Sequence, residues 1–391
     1  MKNEWQTKTI GDLCEVIAGQ SPDGKFYNSE GRGLPFHQGK KDFGDKFIDA
    51  PSTWTTQTTR IAKKGDILMS VRAPVGPVNF STEEICIGRG LAAIRSGTQL
   101  NRDFLFYQLL HLQPEIAGKE GAVFASINKG EIEALPLTFP PLAEQQRIIR
   151  LLDEAFEGLA TAEASFETNI QNARDLYESH LQSVFKQRGK GWMETSLANV
   201  CEFENGDRGK NYPNRNEYVE TGVPWINTGH IQPDGTLSME EMNFITREKF
   251  DSLRSGKIQS GDLVYCLRGA TLGKTALVDP LIEGAVASSL VILRPSSLLD
   301  RSFLYFFLTS PVGKGLIKGF ENGAAQPNLG AKSVAKYPVS FPKIPEQKAI
   351  VDRLIELREE TQRLEAIYFR KLAALATLKK SLLHHALIGE L

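Results

Sequence analysis

A glycine-rich turn with a lysine is the segment of this sequence that most resembles a catalytic motif. It reads GATLGKT from Gly269 to Thr275 and follows an apolar run typical of a β-strand. A nucleotide-binding loop needs four residues between its first glycine and the Gly-Lys pair, whereas this run has three. The residues after Thr275 do not read as the start of a helix, which that loop also requires. We therefore expect the turn to meet phosphate through its basic side chains and not to hydrolyse a nucleotide.

No other motif of the sequence predicts catalysis. The Gly-x-Gly-x-x-Gly, His-Glu-x-x-His and Gly-x-Ser-x-Gly patterns are absent, as is the Asn/Asp-Pro-Pro-Tyr motif of enzymes that methylate bases. The four cysteines form no Cys-x-x-Cys pair, and we expect them to be buried and reduced. His384 and His385 are adjacent, so on a helix they diverge by about 100° and do not chelate one metal. By elimination we expect a binding protein with no catalytic residue, metal or cofactor of its own.

An internal repeat organises the elements that carry these residues. The sequences FPPLAEQ at 139–145 and FPKIPEQ at 341–347 each open a long helical pattern. The positions shared by the two halves are mostly apolar, Gly or Pro, as a common core and its turns require. Segments 20–60 and 207–255 barely align and are rich in polar side chains. One scaffold is therefore predicted to carry two different recognition surfaces.

Composition limits the class of protein. A chain of 391 residues is too long for one ordinary core. The net charge of −1 argues mildly against a general polyanion binder, but it allows a local basic stripe. No apolar run approaches the roughly 18 residues of a membrane span, and the N-terminus does not read as a signal peptide. We expect a cytoplasmic protein with no membrane contact.

The two repeated helices carry one apolar stripe each. The predicted seam comprises Leu152, Leu159, Phe166, Ile170, Tyr177 and Leu181 in the first helix, and Leu354, Leu364, Tyr368, Leu372, Leu375 and Leu382 in the second. A helix about 60 Å long with a single apolar stripe needs a partner. The nearest partner is the other copy, so we predict an antiparallel coiled coil with pseudo-twofold symmetry that acts as a spacer.

The remaining segments predict an α/β fold made of two repeated mixed α/β domains joined by these helices. Strands are expected at 16–17, 67–71 and 91–94, and short helices at 104–112 and 303–308. The predicted boundaries are 1–140 and 188–342 for the domains, and 141–187 and 343–391 for the helices.

This arrangement resembles the specificity subunit of type I restriction–modification systems. The resemblance covers essentially the whole chain and rests on PLAEQ at 141–145, KIPEQ at 343–347, GDIL at 65–68, GDLV at 261–264 and GVPWINTG at 222–229. It implies that each globular unit is a target recognition domain reading one half of a bipartite DNA site. It also implies that the helices fix the gap and dock two methyltransferase subunits, which two motor–nuclease subunits join. S-adenosylmethionine, ATP and Mg²⁺ would then belong to those partners.

Candidate contacts to double-stranded DNA come from the divergent loops, because Arg reads guanine and Asn or Gln reads adenine. The resemblance is weaker in the first half, where FHQG at 36–39 lacks the Asn-Thr-Gly of the second. In the first unit the candidates are Gln20, Lys25, Tyr27, Arg32, His37, Gln38, Lys40, Lys41 and Arg72. In the second they are Arg208, Lys210, Asn211, Tyr212, Asn214, Arg215, Asn227, His230, Arg268 and Lys274.

Two other hypotheses stay open at this point. The chain could be a two-headed scaffold that binds proteins or glycans, which the salt dependence of DNA binding would distinguish. It could also be an unrecognised nucleotide hydrolase that uses Lys274.

Overall fold

The computed structural model describes residues 4–116, 126–187, 189, 191–320 and 329–391. Two Gly-Ala pairs that also repeat in the sequence, at 121–122 and 323–324, lie outside these residues. The chain divides into two compact units, residues 1–166 with 369–391 and residues 167–368. Each unit therefore combines one globular domain with parts of both long helices, which differs from the four-segment division predicted above.

The first unit contains three sheets among its described residues. Its strands are β1 Gln6–Thr9, β2 Cys14–Ala18, β3 Tyr27–Asn28, β4 Leu34–His37, β5 Trp54–Thr55, β6 Ile61–Ala62, β7 Ile67–Ser70, β8 Val78–Phe80, β9 Ile85–Ile87, β10 Leu91–Ser96 and β11 Pro136–Phe139. Its helices are α1 Ile10–Leu13, α2 Arg102–Ile116, α3 Lys129–Glu133 and the beginning of α4 Leu142–Lys186. The sheet orders are β1-β11, β2-β10-β7-β8 and β3-β5-β4-β9-β6, and β4 runs parallel to β9.

The second unit repeats this topology. Its strands are β12 Met193–Ser196, β13 Cys201–Asn205, β14 Val223–Ile226, β15 Asn243–Ile245, β16 Lys257–Gln259, β17 Leu263–Cys266, β18 Thr275–Leu277, β19 Glu283–Val286, β20 Leu290–Pro295 and β21 Pro338–Phe341. Its helices are α5 Arg247–Ser252, α6 Arg301–Thr309, α7 Pro311–Phe320, α8 Ala331–Val334 and the beginning of α9 Ile344–Leu387. The orders β12-β21 and β13-β20-β17-β18 match the first unit. The third sheet, β15-β14-β19-β16, has four strands where the first unit has five, but it keeps the parallel pair, here β14–β19. The predicted repeated α/β fold is confirmed.

Both long helices are anchored in the cores of the domains. In the first unit, Ile148 near the start of α4 is buried together with Leu387 at the end of α9. In the second unit, Phe185 at the end of α4 is buried together with Val351 near the start of α9. The beginning of one helix thus meets the end of the other in each unit, as the predicted antiparallel pairing requires. Leu152 and Leu354 belong to these domain cores and not to an exposed helical seam.

The seam between the helices follows the prediction with one correction. Leu152, Leu159, Ile170, Leu181 and Leu354 are buried, and Phe166, Tyr177, Tyr368, Leu372, Leu375 and Leu382 are partly buried. Leu364, however, is 40% exposed. Thr361 is buried in its place and donates a hydrogen bond to the Leu357 carbonyl oxygen at 2.9 Å. Glu365, one helical turn after Thr361, pairs with Arg174 of α4 at 2.8 Å. The face of α9 that contacts α4 therefore includes Thr361 and Glu365 but not Leu364.

A buried glutamine at the start of each long helix explains the repeated Glu-Gln. The Gln145 amide oxygen accepts from the Asn101 backbone N–H at 2.8 Å, and its nitrogen donates to the carbonyls of Gln99 at 3.1 Å and Pro140 at 2.8 Å. Gln347 makes the equivalent set of bonds in the second unit. Each glutamine therefore joins its helix to the loop before the domain's own helix. We refer to this set of three bonds as the glutamine clamp.

In each unit, the buried aspartate of the repeated Gly-Asp motif forms an ion pair with a half-buried arginine. Asp66 accepts two hydrogen bonds from the Arg95 guanidinium at 2.9 and 2.7 Å, and Asp262 accepts two from Arg294 at 2.9 and 2.8 Å. The aspartate directly precedes one central strand, β7 or β17, and the arginine lies on the neighbouring strand, β10 or β20. The pair thus joins neighbouring strands in the same way in both domains.

The cysteines are free thiols in apolar surroundings. Cys86, Cys201 and Cys266 are buried and Cys14 is half-buried. Burial raises the pKa of the Cys14 thiol to about 11 and the pKa of the Cys201 thiol to about 12. Because only the thiolate reacts, we expect Ellman's reagent at about pH 8 to label both at least about a hundredfold more slowly than a free cysteine. Labelling of the Cys14→Ser and Cys201→Ser variants assigns the rates, and the urea-unfolded chain is the control. Labelling as fast in the folded chain as in urea would contradict this.

No helix within the described ranges is long and apolar enough to cross a membrane.

Candidate nucleic-acid interface

A tight turn between β9 and β10 brings several strand ends of the first domain together. In this turn, the Gly88 N–H donates to the His37 carbonyl at 2.8 Å, and the Gly90 N–H donates to the Gln38 carbonyl at 3.1 Å. The Gly90 carbonyl in turn accepts from the Val71 N–H at 3.0 Å. Glycine is required at this crossing, because a Cβ on Gly88 would lie 2.9 Å from the Gln38 Cα and one on Gly90 would lie 2.5 Å from the Gln38 carbonyl oxygen. The ends of β4 and β7 and the β9–β10 turn thus form one edge, which we call the strand-end edge.

Polar side chains project from this edge. Gln20 joins it because its N–H donates to the Ile87 carbonyl at 3.0 Å, and Gln20, Gln38, Arg72 and Arg89 are all exposed. The Gln38 amide oxygen accepts from the Ser21 hydroxyl at 2.9 Å. Two amides and two guanidinium groups side by side can reach base edges and phosphates. The sequence reasoning missed Arg89, although its place in the turn before the shared strand β10 was a signal that could have found it.

The second domain builds the same edge with different side chains. The Ala287 N–H donates to the Ile226 carbonyl at 2.8 Å, and the Leu267 N–H donates to the Ser289 carbonyl at 2.8 Å. Ser288 occupies the turn position that Arg89 has in the first domain. Arg208 reaches the same turn from the loop after β13 and donates to the Ser288 carbonyl at 3.2 Å.

Asn227 and Arg268 complete the edge of the second domain. The Asn227 side-chain oxygen accepts from the Gly229 N–H at 2.8 Å and so shapes the turn after β14. Arg268 is exposed directly after Leu267. The edge therefore gathers Arg208, Asn227 and Arg268 from three separate segments, and all three were candidates from the sequence.

Two predicted base-reading residues are corrected, because their side chains are buried. His37 is 1% exposed, and its Nδ1 lies 2.9 Å from an Asp42 carboxylate oxygen. His230 is 3% exposed, and its Nδ1 accepts from the Asn227 backbone N–H at 3.1 Å. Burial lowers the pKa of His230, which favours the neutral imidazole. Both histidines are therefore buried residues of the strand-end edge and do not face a ligand.

The other candidates of the first domain lie away from this crossing or are paired within the domain. Tyr27 donates its hydroxyl to the Pro22 carbonyl at 3.0 Å and stacks on Phe36, with ring centroids 4.7 Å apart. Lys25 pairs with Asp23 at 3.3 Å, and Arg32 pairs with Glu30. Lys40 and Lys41 are exposed on a 3₁₀ turn after Gln38, where Lys41 lies 3.8 Å from an Asp42 carboxylate oxygen.

The candidates between residues 210 and 215 form the loop that packs on β14. Asn211 donates to the Ser252 carbonyl at 2.6 Å, and Tyr212 makes an edge-to-face contact with Trp225 at 5.3 Å between ring centroids. The Asn214 N–H donates to Glu217 at 2.8 Å. Lys210 and Arg215 are exposed. DNA contact by the exposed members of this set stays a prediction.

The glycine-rich turn at 269–275 is a hairpin connection. A single 3₁₀ turn, Gly269–Thr271, is followed by β18, and Gly273 has a φ of +85°. A phosphate-binding loop of a nucleotide hydrolase continues into a helix, whose N-terminal amides hold the phosphates. A strand follows here instead, so the geometry gives no support to hydrolysis. Lys274 is exposed on this hairpin.

Within the described ranges, no cluster of three or more His, Cys, Asp or Glu side chains could hold a metal ion.

Comparisons with known proteins agree on one family. A family model described as the type I restriction modification DNA specificity domain matches residues 2–165 and 189–368. The chain is 38% identical over 175 residues to the putative type I restriction enzyme MjaX specificity subunit of Methanocaldococcus jannaschii, an alignment that covers 44% of this chain and 41% of that protein. It is 21% identical to the MjaVIII specificity subunit of the same organism, over 93% of this chain and 89% of the relative.

Solved structures share the fold. The crystal structure of the HsdS subunit from Thermoanaerobacter tengcongensis matches with a TM-score of 0.62 and 17% identity, covering 100% of this chain and 98% of that one. A chain from a study of complex assembly and conformational transition of the type I R-M system matches with a TM-score of 0.79 and 17% identity, covering 100% and 99%. The curated relatives favour the DNA hypothesis over a scaffold for proteins or glycans.

Proposed function

The chain belongs to the type I restriction modification DNA specificity family, and on that premise we propose that it selects the DNA site of a type I restriction–modification complex. Each globular domain reads one half of a two-part site in double-stranded DNA. The observation that carries this proposal is the strand-end edge, which is built twice on one backbone pattern. It presents Gln20, Gln38 and Arg89 in the first domain, but Arg208 and Asn227 in the second.

The electrostatics of the edge favour duplex DNA as the ligand. Arg89, Arg72 and Arg268 are exposed, and no hydrogen bond or ion pair ties their side chains to the rest of the described chain. All the N–H donors of such an unpaired guanidinium are available to a ligand. The exposed Gln20 and Gln38 amides of the first domain have the donor–acceptor pattern that pairs with adenine. A chain with a net charge of −1 can bind DNA through such a local group.

The proposal assigns the chemistry to other subunits. Two methyltransferase subunits would dock on this chain, bind S-adenosylmethionine and methylate adenine. Two motor–nuclease subunits would add ATP- and Mg²⁺-dependent cleavage. The antiparallel helices would set the gap between the two half-sites, because the length of a helix fixes the distance between the groups that it holds. A protein with this task works beside the DNA, so the proposal includes a cytoplasmic location.

Exchange of one domain tests the proposal. Replacing residues 1–140 with the matching domain of a relative should change one half of the recognised sequence and leave the other half and the gap unchanged. The physical reason is that the strand-end edge of each unit is built only from that unit's residues. Methyladenine mapping of cellular DNA by long-read sequencing, with the native and the exchanged chain, reads out both halves.

Two controls and one contradicting outcome define the result. Cells without the gene should lose the methylated motif entirely. The exchange of residues 188–342 should change the other half. If both halves changed, or neither did, with the chain present and folded, the modular proposal would be wrong.

A further inference from the structure

Arg72 and Arg268 are held in the same way in two domains that otherwise present different side chains. Each lies two residues after the last residue of a central strand, β7 or β17. The Arg72 carbonyl accepts from the Ser70 hydroxyl at 3.1 Å, and the Arg268 carbonyl accepts from the Cys266 thiol at 3.3 Å. Ser70 and Cys266 are both buried, so the backbone of each arginine is fixed from inside the domain.

The residue before each arginine forms hydrogen bonds through both its backbone N–H and its carbonyl. The Val71 N–H donates to the Gly90 carbonyl at 3.0 Å, and its carbonyl accepts from the Ile127 N–H at 3.0 Å. In the second domain, the Leu267 N–H donates to Ser289 at 2.8 Å, and its carbonyl accepts from the Leu329 N–H at 2.9 Å. The backbone at Val71 and at Leu267 therefore has the same hydrogen-bond pattern, although the two domains differ in most of the residues that form it. That geometry places an exposed guanidinium at the strand-end edge in both domains.

The side chains of Arg72 and Arg268 make no hydrogen bond or ion pair with the described parts of the chain. Arg247 differs from them, because its guanidinium is exposed but donates two hydrogen bonds to Glu283 at 2.7 and 2.6 Å. An unpaired guanidinium on a fixed backbone has little structural use, whereas it is well suited to an anionic ligand.

The rest of the edge differs between the copies. The turn carries Arg89 in the first domain and Ser288 in the second, where Arg208 arrives from another segment. Side chains that differ can specify different bases. An arginine that both domains place on the same backbone geometry cannot distinguish two different half-sites. It can, however, bind the backbone phosphate, which every DNA sequence has.

We infer that Arg72 and Arg268 each bind one backbone phosphate, the same sequence-independent contact made once per half-site, while Arg89 and Arg208 contact bases. This inference rests on the proposed function and assigns separate roles within it. Phosphate contacts fix the register of a protein on the duplex, and base contacts carry the sequence. The repeated arginines would therefore place the variable side chains in the groove.

The test uses the full chain purified with its methyltransferase subunits and a duplex of random sequence. The logarithm of the binding constant falls with the logarithm of salt concentration by about 0.9 per phosphate contact. The double variant Arg72→Ala with Arg268→Ala should lower that slope by about 2, and each single variant by about 1. Arg247→Ala is the matched control, because it removes an arginine that is already paired, and the slope should stay unchanged.

Lysine variants separate a phosphate from a base. Arg72→Lys and Arg268→Lys should retain most of the slope, because an ammonium binds phosphate as a point charge. The methylated motif should stay the same in every one of these variants, whereas Arg89→Ala or Arg208→Ala should relax one base of one half-site.

The inference is overturned if the double alanine variant keeps the native slope, or if it relaxes a base of the methylated motif. The second outcome would mean that the two half-sites share a base that these arginines read. These results differ from a failure of the proposed function, in which the unaltered complex itself would show no salt-dependent binding to DNA and no motif.

Discussion

Replacing Gln347 by leucine is expected to destabilise the second unit by about 3–5 kcal/mol. The Gln347 side chain is 0% exposed and makes all three bonds of its clamp inside the protein. Its oxygen accepts from the Asp300 N–H at 2.7 Å, and its nitrogen donates to the carbonyls of Leu298 and Pro342, both at 2.8 Å. Leucine has a similar volume but leaves all three backbone groups without a partner. An unsatisfied buried polar group costs about 1–3 kcal/mol, so the loss of three exceeds the gain from one buried leucine.

The same clamp explains why glutamate is expected to fail as well. Gln347→Glu keeps the shape and the acceptor, but it places an acceptor against two carbonyl oxygens. Hydrogen exchange followed by mass spectrometry measures the effect, because peptides from each unit report its stability separately. Gln362→Leu on the exposed side of the same helix is the matched control, with an expected change below about 0.5 kcal/mol. Equal protection in the two variants would show that the clamp does not contribute as argued.

The clamp has an equivalent in the first unit. Gln145 is 0% exposed and bonds the Asn101 N–H and the carbonyls of Gln99 and Pro140. Gln145→Leu should therefore lower the protection of first-unit peptides by a similar amount. Since the clamp joins each domain to its long helix, it also fixes the direction in which the strand-end edge faces relative to that helix.

Removing the carboxylate of Asp262 is expected to cost about 2–3 kcal/mol in the same unit. Asp262 is 1% exposed and accepts two hydrogen bonds from Arg294 and a third from the Gln259 N–H at 2.8 Å. Asp262→Ala leaves the Arg294 guanidinium with only the more distant carboxylates of Glu202 and Glu204, at 3.7 and 3.8 Å. The cost exceeds that of an exposed pair, because the aspartate is buried and its loss also leaves the Gln259 N–H without its acceptor.

An exposed pair in the same unit provides the control. Arg247 and Glu283 form a two-bond ion pair of comparable length, but both side chains are well exposed. Glu283→Ala should cost less than about 1 kcal/mol, since water replaces the lost partner. Urea unfolding followed by hydrogen exchange measures both variants. A cost for Asp262→Ala no larger than that for Glu283→Ala would contradict the assigned role of burial.

The sequence by itself determined the repeated plan of this protein. The two Glu-Gln junctions and the three- or four-residue spacing of apolar positions placed α4 and α9 to within a few residues, because helical periodicity is a local property. The runs around Ile67 and Leu91 gave β7 and β10 for the same reason. Family resemblance added the function, because the order and duplication of short motifs survive when the loops between them diverge.

Only the tertiary structure decided which side chains are available to a ligand. His37 and His230 looked like base-reading residues, but both side chains are buried and bonded inside their own domains. Leu364 fits a heptad, yet the neighbouring helix meets Thr361 and Glu365 instead. Arg89 was not predicted as a contact, because only the β9–β10 turn brings it to the edge that carries Gln38 and Arg72. Burial and adjacency depend on contacts between residues far apart in sequence, and a local sequence pattern does not reveal those contacts.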